Sequence, residues 1–195
     1  MNLIECVKRA LACRDGSIAV EAALSLSLLI VMSLGGFDVV RYYQLTGRLE
    51  RAAVTTADLV SRGETVRDRL TYDMQSETSD IGTYFELAAL SARPEALAGT
   101  GGTVIAALTG TAGAPTLHWV RGTGPLADGA ADRLADLSAL PAGVPFVAVE
   151  ISLPFETLIL GRAGALAGVD VAPVLRRIVF MRPREASLEL LEPVS

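Results

Sequence analysis

Lysine, histidine and cysteine are scarce in this chain, and each shortage excludes something. Lys8 is the only lysine, so a P-loop has no lysine to hold its phosphates. The formal net charge is −5, which argues against nucleic acid as a partner, because phosphate-backbone binding needs clustered Lys and Arg. His118 is the only histidine, which rules out a multi-histidine metal site, and nothing in the sequence supports a single-histidine Ser-His-Asp arrangement. Cys6 and Cys13 both precede Gly16 and lie too far apart for a CxxC redox pair or a zinc knuckle. They read as ordinary leader residues, and everything after Gly16 is free of thiols. No cofactor or metal is expected. Long apolar runs are scarce too: there is one, and no other segment approaches the roughly 18 residues of a second span.

That run, Gly16 to Phe37, reads GSIAVEAALSLSLLIVMSLGGF. After the glycine it is long enough to cross a bilayer, and its only charge is Glu21, about one helical turn inside. A carboxylate costs roughly 2.5 to 3.5 kcal/mol at the centre of a span and less near the interface, so Glu21 is a candidate functional residue. The 195 residues leave room for a leader, this anchor and one globular domain of ordinary size. Lys8, Arg9 and Arg14 before the run are matched by Arg41, Arg48 and Arg51 after it, so flanking charge gives a tie. Long domains translocate largely regardless of charge, which places the short leader inside and the large domain outside. A secretory signal has a shorter apolar core, about 7 to 15 residues, and only the weak SLG at Ser33 to Gly35 offers it a cleavage site. A retained anchor is the expectation.

Glu21 is the fifth residue after Gly16. A short basic leader, a glycine, and an apolar helix with a glutamate at that position resemble the class III signal of type IV prepilins. The longer block RDGSIAVEAALSLSLLIVMSLGGFDVVRYYQLTGRLERAA is similar to the amino-terminal block of TadE-like proteins, minor pseudopilins of the tight-adherence (Tad, or Flp) pilus. In that family an apolar anchor runs into a polar helix with spaced arginines. Weaker similarities follow in order, PTLHWVRGTG to a strand with a tryptophan and a basic residue, and VPFVAVEISLPFETLIL to a long strand leading into a turn. Ala22 departs from the pattern, standing where the family usually carries Phe or Tyr.

The resemblance implies processing between Gly16 and Ser17, a pilin-like architecture, and an assembly role in which Glu21 pairs with a neighbouring subunit's amino terminus. It implies as partners other pilus subunits and pseudopilins, the prepilin peptidase, the inner-membrane assembly platform and membrane lipid. It also implies a single-pass protein of the bacterial inner membrane, amino terminus cytoplasmic and carboxy-terminal domain periplasmic, or a place in the pilus itself, serving adhesion and biofilm formation. The residues alone leave open that Glu21 merely lies at the interface, where a carboxylate costs little.

The helical pattern persists beyond the run. Val39, Val40, Tyr43, Leu49 and Val54 supply an apolar side and Arg41, Gln44, Arg48 and Arg51 a polar one, which predicts one helix to about Ser61, on the order of 70 Å long. Gly35-Gly36 is where a bend would fall, and Arg41 with Tyr42 or Tyr43 suits the membrane interface. Arg62 to Glu77 reads as a polar loop with helical tendency. Asp80 is placed to cap a short helix, Ile81 to Ser91, closed by Arg93-Pro94. Thr103 to Thr109 and Thr116 to Arg121 flank GTAGAP as a hairpin. Pro145 to Leu153 alternates, with Val147, Val149, Ile151 and Leu153 on one side and Ala148, Glu150 and Ser152 on the other, as a strand of a one-sided sheet. Leu175 to Arg182 is a fourth strand, and Phe155 to Leu166 is expected to be partly helical.

The expected fold class is α+β, a long amino-terminal helix followed by a small domain with a short helix and a three- or four-stranded antiparallel sheet. In these terms the chain comprises a cytoplasmic leader, 1–16, a transmembrane helix, 17–37, a helix extension, 38–62, and a periplasmic domain, 63–195. His118 reads as a partly exposed strand residue beside a packed tryptophan, and Glu150 and Glu156 as solvated surface charges rather than a catalytic pair. GTGG and RGTG read as turns, because strands on both sides exclude the strand-turn-helix setting of a dinucleotide site. The reading is a structural subunit that turns over no substrate, a pseudopilin anchored in the inner membrane. An unprocessed, anchored binding module is the alternative.

Overall fold

Helix α1 (Arg14–Arg62) realises the long apolar periodicity as 49 continuous helical residues, unbroken at Gly35-Gly36. The computed structural model describes residues 14–94, 97–137, 140–157, 173–184, 188 and 191–192. By internal contacts the chain divides into two compact units, Met1–Tyr42 with Glu156–Val171, and Tyr43–Phe155 with Ala172–Ser195.

In the first unit the apolar residues of α1 from Ile18 to Val40 are exposed around the whole helix, including the consecutive run Leu28, Leu29, Ile30, Val31 and Met32. In the second unit the helix changes character. Leu45, Leu49, Ala52, Ala53, Thr56, Ala57 and Val60 are buried at spacings of three and four, one face of a helix. The expected apolar side, built on Val39, Val40, Tyr43, Leu49 and Val54, is therefore corrected: of these only Leu49 is buried. The buried stripe is carried largely by alanine and threonine, whose weak hydropathy hides it.

After α1, the stretch expected to be loop with helical tendency holds a short strand instead. Strand β1 (Val66–Arg67) pairs in parallel with β6 (Leu191–Glu192), and Val66 is fully buried. Helix α2 (Ile81–Ser91) has the expected bounds. Asp80 occupies its N-cap position with an extended backbone, but its side chain makes no capping bond. Its Oδ2 instead accepts the Glu77 amide at 2.9 Å, so the carboxylate closes the preceding turn.

The remaining elements are α3 (Leu97–Thr100), β2 (Gly102–Thr109), β3 (Thr116–Thr123), α4 (Ala130–Ala135), β4 (Pro145–Pro154) and β5 (Val174–Met181). Four of them form an antiparallel sheet in the order β3-β2-β4-β5, with Ile105 opposite Val149 and Val149 opposite Val179. The fold is α+β, with all four anticipated strands present and the β1–β6 pair in addition. Strand β4 is not one-sided, since every residue from Val147 to Leu153 is buried. One face is covered by α4, where Ala130 and Leu134 pack on Val104, Ala106, Leu108 and Ala148. Burying the Leu134 side chain completely contributes about 1.5 to 3 kcal/mol.

The glycines of GTGG and RGTG do more than turn the chain. A Cβ on Gly102, the first residue of β2, would lie 2.6 Å from the backbone nitrogen of Ala127, and Gly124 adopts φ +86°. Here the 124–127 backbone runs against the end of β2, with the Leu126 amide donating to the Gly101 carbonyl at 3.1 Å. Of the expected partly helical stretch, Phe155 to Leu166, all but its first three residues lie outside the described residues.

Candidate functional site

The segment from Ile18 to Phe37 spans about 30 Å at 1.5 Å rise per residue, the thickness of a bilayer's hydrocarbon core. Its apolar side chains are exposed on all sides, an arrangement that water penalises and lipid does not. This is one helix long and apolar enough to cross a membrane. Ser27 directs its hydroxyl back to the Ala23 carbonyl at 2.8 Å, so its polar hydrogen needs no partner from lipid.

Glu21 lies in this helix and is exposed. The bond between Gly16 and Ser17 lies near the amino-terminal end of the described part of α1. Ser17 and Glu21 are four residues apart along this helix. Further along α1, Arg41 directs Nη1 toward the Glu156 carbonyl at 3.4 Å, while Tyr43 is well exposed. Arg48 and Arg51 join Arg93, with Thr55 and Ser91, around a polar cleft of about 400 Å³.

Sequence reasoning missed three buried or half-buried charge groups in the domain. Glu150 is 1% exposed, which corrects its reading as a solvated surface charge. Its Oε1 accepts from Arg133 Nη2 of α4 at 2.7 Å and from Arg176 Nε of β5 at 2.9 Å. One carboxylate thus ties helix to sheet, and the alternation that put Glu150 opposite Val149 was the available signal. Glu156 is exposed, as expected. Arg121 of β3 makes a bidentate pair with Asp68, at 2.8 and 2.6 Å, and that hydrogen bonding holds the Asp68 carboxyl below the usual range. Asp80 is buried with Arg69 Nη1 at 3.8 Å and Arg67 Nε at 3.9 Å.

His118 is exposed, with Nε2 2.9 Å from the Thr109 hydroxyl, at the bulge where the β2–β3 register slips. Trp119 beside it is buried and donates Nε1–H to the Leu188 carbonyl at 2.9 Å. Both agree with the strand reading. Among the described residues no group of three or more His, Cys, Asp or Glu side chains is placed to hold a metal ion. A cleft of about 510 Å³ opens between the end of α1 and α2, lined by Leu59, Tyr84 and Leu87 with polar residues at its rim. Burial there raises the Tyr84 phenol above its ordinary range.

These features define a class: a protein with one helix fit to span a membrane, leading into an α+β domain braced by buried ion pairs. The amino-terminal segment is TadE-like, since residues 16–58 match the family described as TadE-like protein. That family is a structural, pilus-associated one. Neither a curated relative nor a solved structure matches the chain. The match and the apolar helix together fit a membrane-anchored, pilus-associated protein.

Proposed function

We propose that this chain is a pseudopilin of a Tad-type pilus, held in the bacterial inner membrane by α1 with its α+β domain in the periplasm. The observation that carries the reading is the TadE-like match, which starts at residue 16 and runs through the apolar helix. A prepilin peptidase cuts after Gly16, drawing the backbone there into an extended form that a residue without a Cβ permits. The new ammonium of Ser17 then sits one turn from Glu21, and a negative side chain near a helix amino terminus is favourable. Between packed helices in a low-dielectric setting the same acid meets a neighbour's ammonium more strongly than in water, which sets the register of assembly. The partners of this reading are other pilus subunits, the peptidase and the assembly platform, and the role is structural rather than catalytic.

The test is the intact mass of the protein extracted from its host's membrane. A mass short by Met1 to Gly16 is expected, and Gly16→Leu should restore full length. A wild-type protein that keeps its leader points to a simple anchored binding module. Glu21→Gln should leave insertion intact and reduce both pilus formation and co-purification with other subunits. Unchanged assembly in that variant removes the pairing role from Glu21.

A further inference from the structure

Three arginines meet in one cleft of the second unit, and two of them come from α1. Arg48 and Arg51 lie three residues apart on that helix, with Thr55 four residues further along the same face. Arg93, just beyond the end of α2, supplies the third guanidinium, and Ser91, the last residue of α2, a second hydroxyl. The cleft they line is about 400 Å³, and among the described residues its lining holds no carboxylate and only Ala52 as an apolar side chain.

Two arginines on one helix face, taken alone, are an ordinary solvated surface. The third, from another helix, sets this group apart. Like charges three or four residues apart on a helix destabilise it, and a further cation brought in from a second element adds to the repulsion. In a chain whose formal net charge is −5, three cations gathered without an acid in the described lining are a local reversal of sign. Two of the guanidiniums also keep donors to give. Arg51 spends only Nε, on the Gly47 carbonyl at 3.1 Å, and the Arg93 guanidinium has no partner among the described residues. Both side chains are exposed, while Arg48 is half-buried.

The number of donors decides which anion fits. A carboxylate has about four acceptor positions on its two oxygens, which one arginine fork and a further donor or two satisfy. Three arginine forks and two hydroxyls exceed that capacity. A phosphoryl group, tetrahedral and with three strong acceptor oxygens, can meet donors arriving from several directions.

We propose that the cleft formed by Arg48, Arg51 and Arg93 binds a phosphoryl group, carried by a lipid headgroup or by a soluble phosphate. The guanidiniums hold its charge, and the Thr55 and Ser91 hydroxyls donate to the oxygens that the arginines leave. The inference stands apart from the pilus reading, because such a site requires neither processing nor another subunit.

The test titrates full-length protein in non-ionic detergent with inorganic phosphate and, separately, with acetate, at constant ionic strength in a calorimeter. Phosphate is expected to bind saturably and about tenfold tighter than acetate, a preference of roughly 1.4 kcal/mol. Arg51→Gln combined with Arg93→Gln should weaken phosphate binding about tenfold or more, with thermal unfolding in chloride unchanged because both side chains are exposed. Arg182→Gln combined with Arg184→Gln removes the same charge outside the described lining of the cleft and should leave phosphate binding as in the parent. Repeating the titration in micelles doped with phosphatidylglycerol, with phosphatidylcholine as control, separates the two sources. Loss of phosphate binding in phosphatidylglycerol alone supports the site with a lipid headgroup as its ligand, and retention supports it with a soluble phosphate. Phosphate binding no tighter than acetate, or equal weakening by the two double variants, overturns the proposal. A protein that keeps its leader but binds phosphate selectively refutes the pilus reading alone.

Discussion

The two halves of α1 meet the same requirement in opposite ways. From Ile18 to Phe37 the helix exposes large apolar side chains on every side, and from Leu45 to Val60 it buries a narrow stripe composed mainly of alanine, leucine and threonine. A helix surrounded by lipid needs hydrophobicity all round and no particular face. A helix packed within a folded unit needs one face of the right shape, and small residues serve where the neighbour comes close. One continuous helix therefore obeys two sets of rules, and a substitution that is severe in one half should be mild in the other.

The largest expected effect is in the first half. Leu28→Arg puts a charge near the middle of the run, a cost of about 3 kcal/mol for insertion. Resistance of the protein to alkaline extraction from membranes should fall, whereas Val54→Arg, on an exposed part of the second half, should leave extraction unchanged. Equal effects would show that the two halves share one environment.

Next is the ion-pair group that joins α4 to the sheet. Arg133→Met removes one of the two guanidinium donors to the buried Glu150, and a lost hydrogen bond to a charged group costs about 2 kcal/mol. Thermal unfolding of the detergent-solubilised protein should shift downward, with membrane insertion unaltered. A loss of insertion in this variant would break the separation between anchor and domain.

Ala57→Leu tests the buried stripe directly. Room for the three extra carbons is not available where Ala57 is fully buried, and overpacking of this kind costs on the order of 1 to 2 kcal/mol. The same enlargement at Ala23, an exposed position in the run, should be silent in unfolding. The smallest effect concerns pH. Asp68 has its carboxyl pKa lowered in the folded state, chiefly by the hydrogen bonds from Arg121, so its contribution is complete above the unfolded value of about 3.9 and is lost as pH falls through the lower folded value. For a half-exposed pair that contribution is under about 1 kcal/mol. Asp68→Asn should therefore lower stability at neutral pH and flatten the acid limb of the stability curve below about pH 4, and an unchanged acid limb would assign that limb to other carboxylates.

Local pattern made the secondary structure readable. The span, the end of α1 near Ser61, the helix Ile81–Ser91 and all four sheet strands could be placed from apolar periodicity, a capping position and turn residues, because each is decided by neighbours within a few residues. The TadE-like character of the first block was readable too, since it lies in one continuous stretch of sequence, residues 16–58. What depends on distant residues was not. Strand β1 exists only because Leu191 and Glu192 return to pair with Val66 and Arg67, more than a hundred residues away. Glu150 looked like an outward charge because alternation tells which face a side chain takes but not what covers that face, and here α4 covers it and brings Arg133. The alanines and threonines of α1 were silent for a related reason: their own hydropathy is weak, and what buries them lies elsewhere in the chain. The sequence by itself determined where this chain has a helix fit for a membrane and which segments become strands. Only the tertiary structure decided which charges are buried and which helix face is covered, because those are set by packing between segments far apart in the chain.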